Sequence, residues 1–301
     1  MKSYFLFRSK QDKTNRVRSQ FHLLIISLLL LFNCNSQQDK SVKSFDGSTI
    51  DYTVAGSGEP TLVFIQGGLG CNKHVWDHQM SYFKKKYKVV ALSLAGHGKS
   101  DSIRLNYTME SYGKDVSAVV KELKLNKVIL IGHSFGGIVC IEAALNLPNE
   151  VIGIIGLDCL NQFELIWEEN FVKSFLDRFR TDTNKKTQDF IRQMFTEETD
   201  PMLVEKTASD FGSVNSSVFF SELQDWFNYQ NEKFLFSVQR ISVPITCIQN
   251  GDNVITVETN RKYNPQYKGI KMDSLGHMFL IAYPDQVNQE IESMVDYIAS
   301  R

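Results

Sequence analysis

The run Lys127 to Ile131 is short and almost wholly apolar, and the chain leaves it through Gly132-His133-Ser134-Phe135-Gly136 into a helical stretch ending near Leu147. A buried strand followed at once by a helix forces a sharp turn, so Ser134 must sit in a strained backbone conformation with no bulky side chain on either flank. Gly132 and Gly136 meet that demand, and Gly137 lets the helix approach the sheet closely. The serine Oγ would project above the sheet at a helix N-terminus, where partial positive charge favours a developing anion.

The surrounding pattern is that of an α/β fold. Val42 to Val54 alternates around Asp46-Gly47 as a hairpin would. Thr61–Ile65, Tyr87–Leu94, Lys127–Ile131, Val151–Leu157 and Pro244–Gln249 are apolar runs of buried strands. Helical stretches alternate with them at Val75–Lys84, Met109–Leu123, Phe135–Leu147 and Asp285–Ile298. Such alternation predicts a mostly parallel sheet covered on both faces. From Asn161 to Ser237 the rhythm breaks into amphipathic segments dense in aromatics, at Phe163–Phe179, Thr187–Phe195, Pro201–Phe211 and Val218–Phe236. A helical cap at 161–237, inserted after the strand ending near Leu157, fits that break. The core is then 45–160 and 238–301, covered by the cap at its carboxyl edge, where open α/β sheets bind ligands.

The N-terminus reads as an export signal at 1–33, with six basic residues ahead of the apolar run Phe21 to Phe32, and then a polar tether at 34–44. The run is shorter than the roughly 20 residues of a transmembrane helix. Leu31-Phe32-Asn33-Cys34 resembles a bacterial lipoprotein signal, which implies lipidation of Cys34 and a membrane-anchored protein; a simple secretory signal or an uncleaved anchor is the alternative. Without residues 1–33 the chain has 27 basic and 33 acidic residues, so its surface has no evident attraction for nucleic acid or anionic membranes. Three of the four remaining cysteines (Cys71, Cys140, Cys159, Cys247) lie in apolar stretches, which suits buried free thiols better than disulfides. No Cys or His spacing suggests a metal.

With its elbow motif, the chain from Phe45 onward resembles the α/β-hydrolase superfamily. Gln66-Gly67-Gly68-Leu69-Gly70 is similar to that family's oxyanion loop, with Gln66 where a histidine is usual. The resemblance implies that the backbone N–H groups of Gly68 and Phe135 receive the oxyanion, and that no cofactor or metal is needed. Trp76 and the turn containing His97 match as scaffold. Of six histidines, His277 alone lies beyond the insertion, in a segment similar to the family's C-terminal histidine loop, and an imidazole suits general-base work near neutral pH. For the acid, the resemblance leaves two candidates: Asp252, after the strand Pro244–Gln249 in a Gly-Asp loop two residues shorter than usual, and Asp158, after Val151–Leu157. The first is preferred because Val254-Ile255-Thr256-Val257-Glu258 matches what usually follows the acid.

The function expected is hydrolysis of an ester or related acyl bond of a small molecule by Ser134, His277 and Asp252. Serine at the elbow disfavours the dehalogenase and epoxide hydrolase branches, which use aspartate there. A ligand-binding protein with little turnover, a serine aminopeptidase and a carbon–carbon bond hydrolase are the alternatives. Mass spectrometry of the mature N-terminus checks the export reading: an acylated Cys34 as first residue is expected, and an unmodified N-terminus elsewhere would reject lipidation.

Overall fold

The structure, a computed structural model, describes residues 37–251 and 254–301. The segment 1–33 expected as an export signal, Cys34 and Asp252 lie outside the described residues. Eight strands form one sheet: β1 Gln38–Lys43, β2 Thr49–Ala55, β3 Thr61–Ile65, β4 Val89–Leu92, β5 Val128–His133, β6 Val151–Leu157, β7 Ile245–Gln249 and β8 Lys268–Lys271. Their order is β1-β2-β4-β3-β5-β6-β7-β8. The pairs β1/β2 and β2/β4 are antiparallel and the rest parallel. This is the mostly parallel, helix-covered sheet expected from the alternating pattern.

The interior strands are apolar because both faces are covered. One face packs on the helices Met109–Glu122 and Gly136–Asn146, the other on Asp77–Phe83 and Pro284–Ala299. Each fully buried large apolar side chain contributes about 1.5–3 kcal/mol by leaving water. Trp76 is fully buried against Phe64, a scaffold position as its sequence context implied.

Two edges depart from the sequence reading. The stretch 38–43, expected within a polar tether, is strand β1, paired with β2 from Gln38↔Val54 to Lys43↔Thr49. Its side chains are mostly exposed, so the backbone ladder, helped by Asp39 on Thr53 and Lys73, orders it and hydrophobic patterning carries little trace of it. The short edge strand β8 escapes notice for the same reason: its lysines flank a single glycine–isoleucine pair.

Between β6 and β7 lie the helices Glu169–Asp177, Thr183–Arg192, Pro201–Phe211, Ser216–Glu232 and Phe234–Gln239. They form the cap, with an apolar centre of its own around Phe179, Phe219, Leu223 and Phe227. The helix Ser216–Glu232 is bolted to the core along one face. Ser221 Oγ accepts from the backbone N–H of Tyr107 at 2.9 Å, and Asp225 Oδ2 from that of Met109 at 2.7 Å, a carboxylate at a helix N-terminus. One helical turn further on, Tyr229 donates to Glu142 on the helix behind Ser134. The cap wall over the sheet's carboxyl edge is thereby fixed to the element that carries the elbow.

Candidate active site

Ser134 occupies the turn from β5 into the helix Gly136–Asn146 with φ +53°, a left-handed conformation unfavourable for a residue with a Cβ. Its N–H donates to Leu157 O at 2.9 Å, and its carbonyl accepts from Gly137 N at 3.0 Å, so neighbouring strand and helix hold the strain in place. A Cβ on Gly136 would stand 2.4 Å from Gln66 O, so the elbow and the oxyanion loop touch backbone to backbone. Gly68 and Phe135 line the same cavity as Ser134. Gln66 is buried, and its Nε2 donates to Cys71 O, closing the loop on itself. The residue that departs from the usual histidine thus braces the loop rather than facing the cavity.

His277 lies in the loop after β8 and lines that cavity too. Its Nδ1 bonds Asp158 Oδ2, the carboxylate at the end of β6. Asp158 Oδ1 accepts from Gln249 Nε2 and, at 3.3 Å, from Asn250 N, so both carboxylate oxygens are engaged. Asp158 has φ +52°, and its N–H reaches Ile248 O at 2.9 Å. Among the described residues Asp158 is therefore the carboxylate on His277, whereas the sequence reading preferred Asp252. The reason is local: a neutral imidazole has one Nδ1–H to donate, and Asp158 takes it. From the end of β7, Gln249 and Asn250 reach Asp158 itself.

Two further histidines support the site. His133 is buried beside His277, with ring centroids 4.6 Å apart, and its Nε2 donates to His277 O at 2.9 Å. Burial, with His277 adjacent, pushes His133 down to about 3, so the ring is a neutral brace. His97, expected as a loop-packing residue, is fully buried with Nε2 3.3 Å from Glu222 Oε2 of the cap. Burial opposes a charge on His97, but the Glu222 carboxylate and Ala95 O outweigh it and raise its pKa. Tyr112 OH also donates to Glu222, at 2.9 Å. Glu222 Oε1 lies only 3.6 Å from where a Cβ on Gly68 would be, so the His97–Glu222 contact sits directly behind the oxyanion loop. The glycine turn hinted at His97, but nothing in the sequence named its partner 125 residues away.

Cys71, Cys140, Cys159 and Cys247 are all free. Burial pushes the Cys71 and Cys247 thiols up to about 12, leaving no thiolate for chemistry near neutral pH. Among the described residues, no group of three or more His, Cys, Asp or Glu side chains could hold a metal ion, and no helix is long and apolar enough to cross a membrane.

A family profile described as the alpha/beta hydrolase fold matches residues 60–282. The chain belongs to the α/β-hydrolase family. A 104-residue stretch is 32% identical to an uncharacterized protein of Mycobacterium tuberculosis, over 35% of this chain and 30% of that one. A karrikin insensitive 2 receptor of Petunia hybrida is 24% identical over 78% of this chain and 90% of its own length. Among solved structures, an esterase from Exiguobacterium antarcticum superposes with a TM-score of 0.74 at 18% identity, over 87% of this chain and all of that one (100%). At that identity the likeness is one of fold.

The neutral brace at His133 has a pH consequence. An unfolded histidine titrates near 6.5 and this one near 3, so below pH ~6.5 the unfolded chain binds the extra proton. The stability it contributes is full above that pH and is lost as pH falls toward 3. Urea unfolding at pH 6.5 and 5 checks it: wild type should lose about 2 kcal/mol more than His133→Gln over this interval. Equal losses would mean that His133 takes up its proton within the fold.

Proposed function

We propose that the protein is a serine hydrolase that cleaves an ester or related acyl bond of a small molecule through an acyl-enzyme on Ser134. The observation that carries this reading is the Asp158–His277 bond at the wall of the cavity that Ser134 lines from its strained elbow. In this reading Asp158 holds the imidazole in the tautomer whose Nε2 is free to take the serine proton, and stabilises the imidazolium that forms. Ser134 Oγ then attacks the carbonyl carbon, and the negative oxygen is received by the backbone N–H groups of Gly68 and Phe135. Each such donor contributes about 3 kcal/mol to the transition state. The leaving group departs with the proton from His277, and water, activated by the same imidazole, releases the acyl group. Lipid on Cys34 would anchor the body at a membrane and leave the catalytic face in solution.

A second reading, a receptor that binds a ligand with little turnover, is favoured by the likeness to the petunia receptor across most of both chains. Hydrolysis of p-nitrophenyl acetate separates the two. Ser134→Ala should lower kcat by on the order of 10⁴-fold or more and Asp158→Asn by ~10³–10⁴-fold, with Asp252→Asn within about twofold of wild type. Loss of activity in Asp252→Asn with Asp158→Asn active would return the acid to Asp252. A wild type inert to a broad ester panel would favour the receptor.

A further inference from the structure

Two chambers meet at Ser134, and their chemistry differs. One has a volume of about 450 Å³ and is walled by aromatic rings of the cap, among them Phe171, Phe175, Phe190 and Phe227. The ring planes of Trp167 and Phe171 stack at 5.2 Å, and Phe175 meets Phe190 edge-on at 5.7 Å. The other, of about 300 Å³, lies toward the start of the cap and is lined by Asn161, Gln162, Leu165 and Gln230. Ser134, Asp158 and His277 line both, as do Trp167 and Trp226. Since an ester has two arms on its carbonyl carbon, a nucleophile at the junction of two chambers can seat one arm in each.

The side-chain amides of the smaller chamber have a defined orientation. Gln230 Nε2 donates to Leu165 O at 3.1 Å, Asn161 Nδ2 to Val254 O at 2.9 Å, and Gln162 Nε2 to the same oxygen at 3.4 Å. Only the NH₂ end of an amide can bond a carbonyl, so these contacts set which end is which. Each NH₂ keeps a second N–H, so these amides offer a ligand both acceptors, fixed in orientation, and donors. A ligand arm in this chamber is therefore matched by a neutral group that can donate as well as accept, such as a hydroxyl. Among the described residues in either lining, Asp158 and His277 are the only acidic or basic side chains and are engaged with each other, while burial keeps the Cys159 thiol protonated. A charged arm would be desolvated there without a counter-charge.

Resting on the assignment of Ser134 as the ester-cleaving nucleophile, we propose that the substrate is an uncharged ester with one aromatic or bulky apolar arm and one short arm bearing a hydroxyl or amide N–H. The aromatic arm lies among the cap phenylalanines. The short arm donates to the amide oxygens of Gln230, Asn161 or Gln162. Trp167 and Trp226, in ring contact with each other at 5.8 Å, line the junction where the two arms diverge.

Two mirrored ester series test this with the full-length protein. One holds phenylacetate fixed and varies the alcohol among 2-hydroxyethyl, 2-methoxyethyl and carboxymethyl; the other holds phenethyl alcohol fixed and varies the acid among glycolic, methoxyacetic and malonic half-ester. In at least one series the hydroxyl compound should exceed its methoxy analogue about tenfold in kcat/KM, the scale of one hydrogen bond. The carboxylate should fall on the order of a hundredfold below the hydroxyl compound. Gln230→Leu should reduce the hydroxyl-to-methoxy ratio to about twofold; Gln162→Leu, at a half-exposed position, does the same test if the loss of the Leu165 contact impairs folding. Phe175→Ala should lower the advantage of phenyl over methyl in the long arm and keep the hydroxyl-to-methoxy ratio. Equal rates for hydroxyl, methoxy and carboxylate compounds in both series, or variants that alter both ratios alike, would overturn the proposal. A fluorophosphonate probe keeps the two readings apart. Labelling of Ser134 with flat ratios rejects the substrate class alone, whereas neither labelling nor turnover rejects the hydrolase reading beneath it.

Discussion

The backbone at Ser134 is the constraint on which the rest of the site depends. A left-handed serine costs roughly 1–2 kcal/mol and persists only where its surroundings over-determine it. Here β6 supplies the acceptor for its N–H, and the first turn of the following helix supplies the donor for its carbonyl. The close backbone contact of Gly136 with Gln66 then fixes the oxyanion loop relative to the elbow. Placement of β5 between β3 and β6 in the sheet order brings the nucleophile, the oxyanion loop and Asp158 to one edge from three adjacent strands.

That logic explains how much could be read from the chain beforehand. Five of the six interior strands, β3 to β7, and the helices covering them are visible because burial on both faces leaves unbroken apolar runs. The elbow is visible because glycine flanks are a steric necessity there. His277 follows from position alone, as the one histidine after the cap. The acid is harder. Asp158 and the loop of Asp252 follow the neighbouring strands β6 and β7, whose ends lie side by side in the sheet. Either could place a carboxylate beside His277, and a one-dimensional spacing rule does not say which reaches Nδ1. The outer strands β1 and β8 escape because backbone pairing, with little side-chain burial, holds them.

Charge balance inside the site was also out of reach of pattern reading. Glu222 lies on a cap helix chosen by its aromatics, yet it is fully buried against His97 and Tyr112 behind the oxyanion loop. Removing one member would leave the other a buried polar group with one partner fewer. Glu222 therefore ties the cap to the core through Tyr112 and His97, while Ser221 and Asp225 tie it by hydrogen bonds to backbone. The opposite side of the same helix carries Leu223 and Phe227 into the cavity wall. Cap position and cavity shape are in this way set by one rigid element, so binding specificity is built on a wall rather than on a loop.

The most direct measurement is rapid-quench mass spectrometry of the protein mixed with excess p-nitrophenyl ester. A burst of one acyl group per chain, mapped to the peptide that contains Gly132-His133-Ser134-Phe135-Gly136, is the result expected of a Ser134 nucleophile. Steady turnover with no acylated peptide, or acyl groups found only on another residue, would show that the strained serine is not where the chemistry occurs.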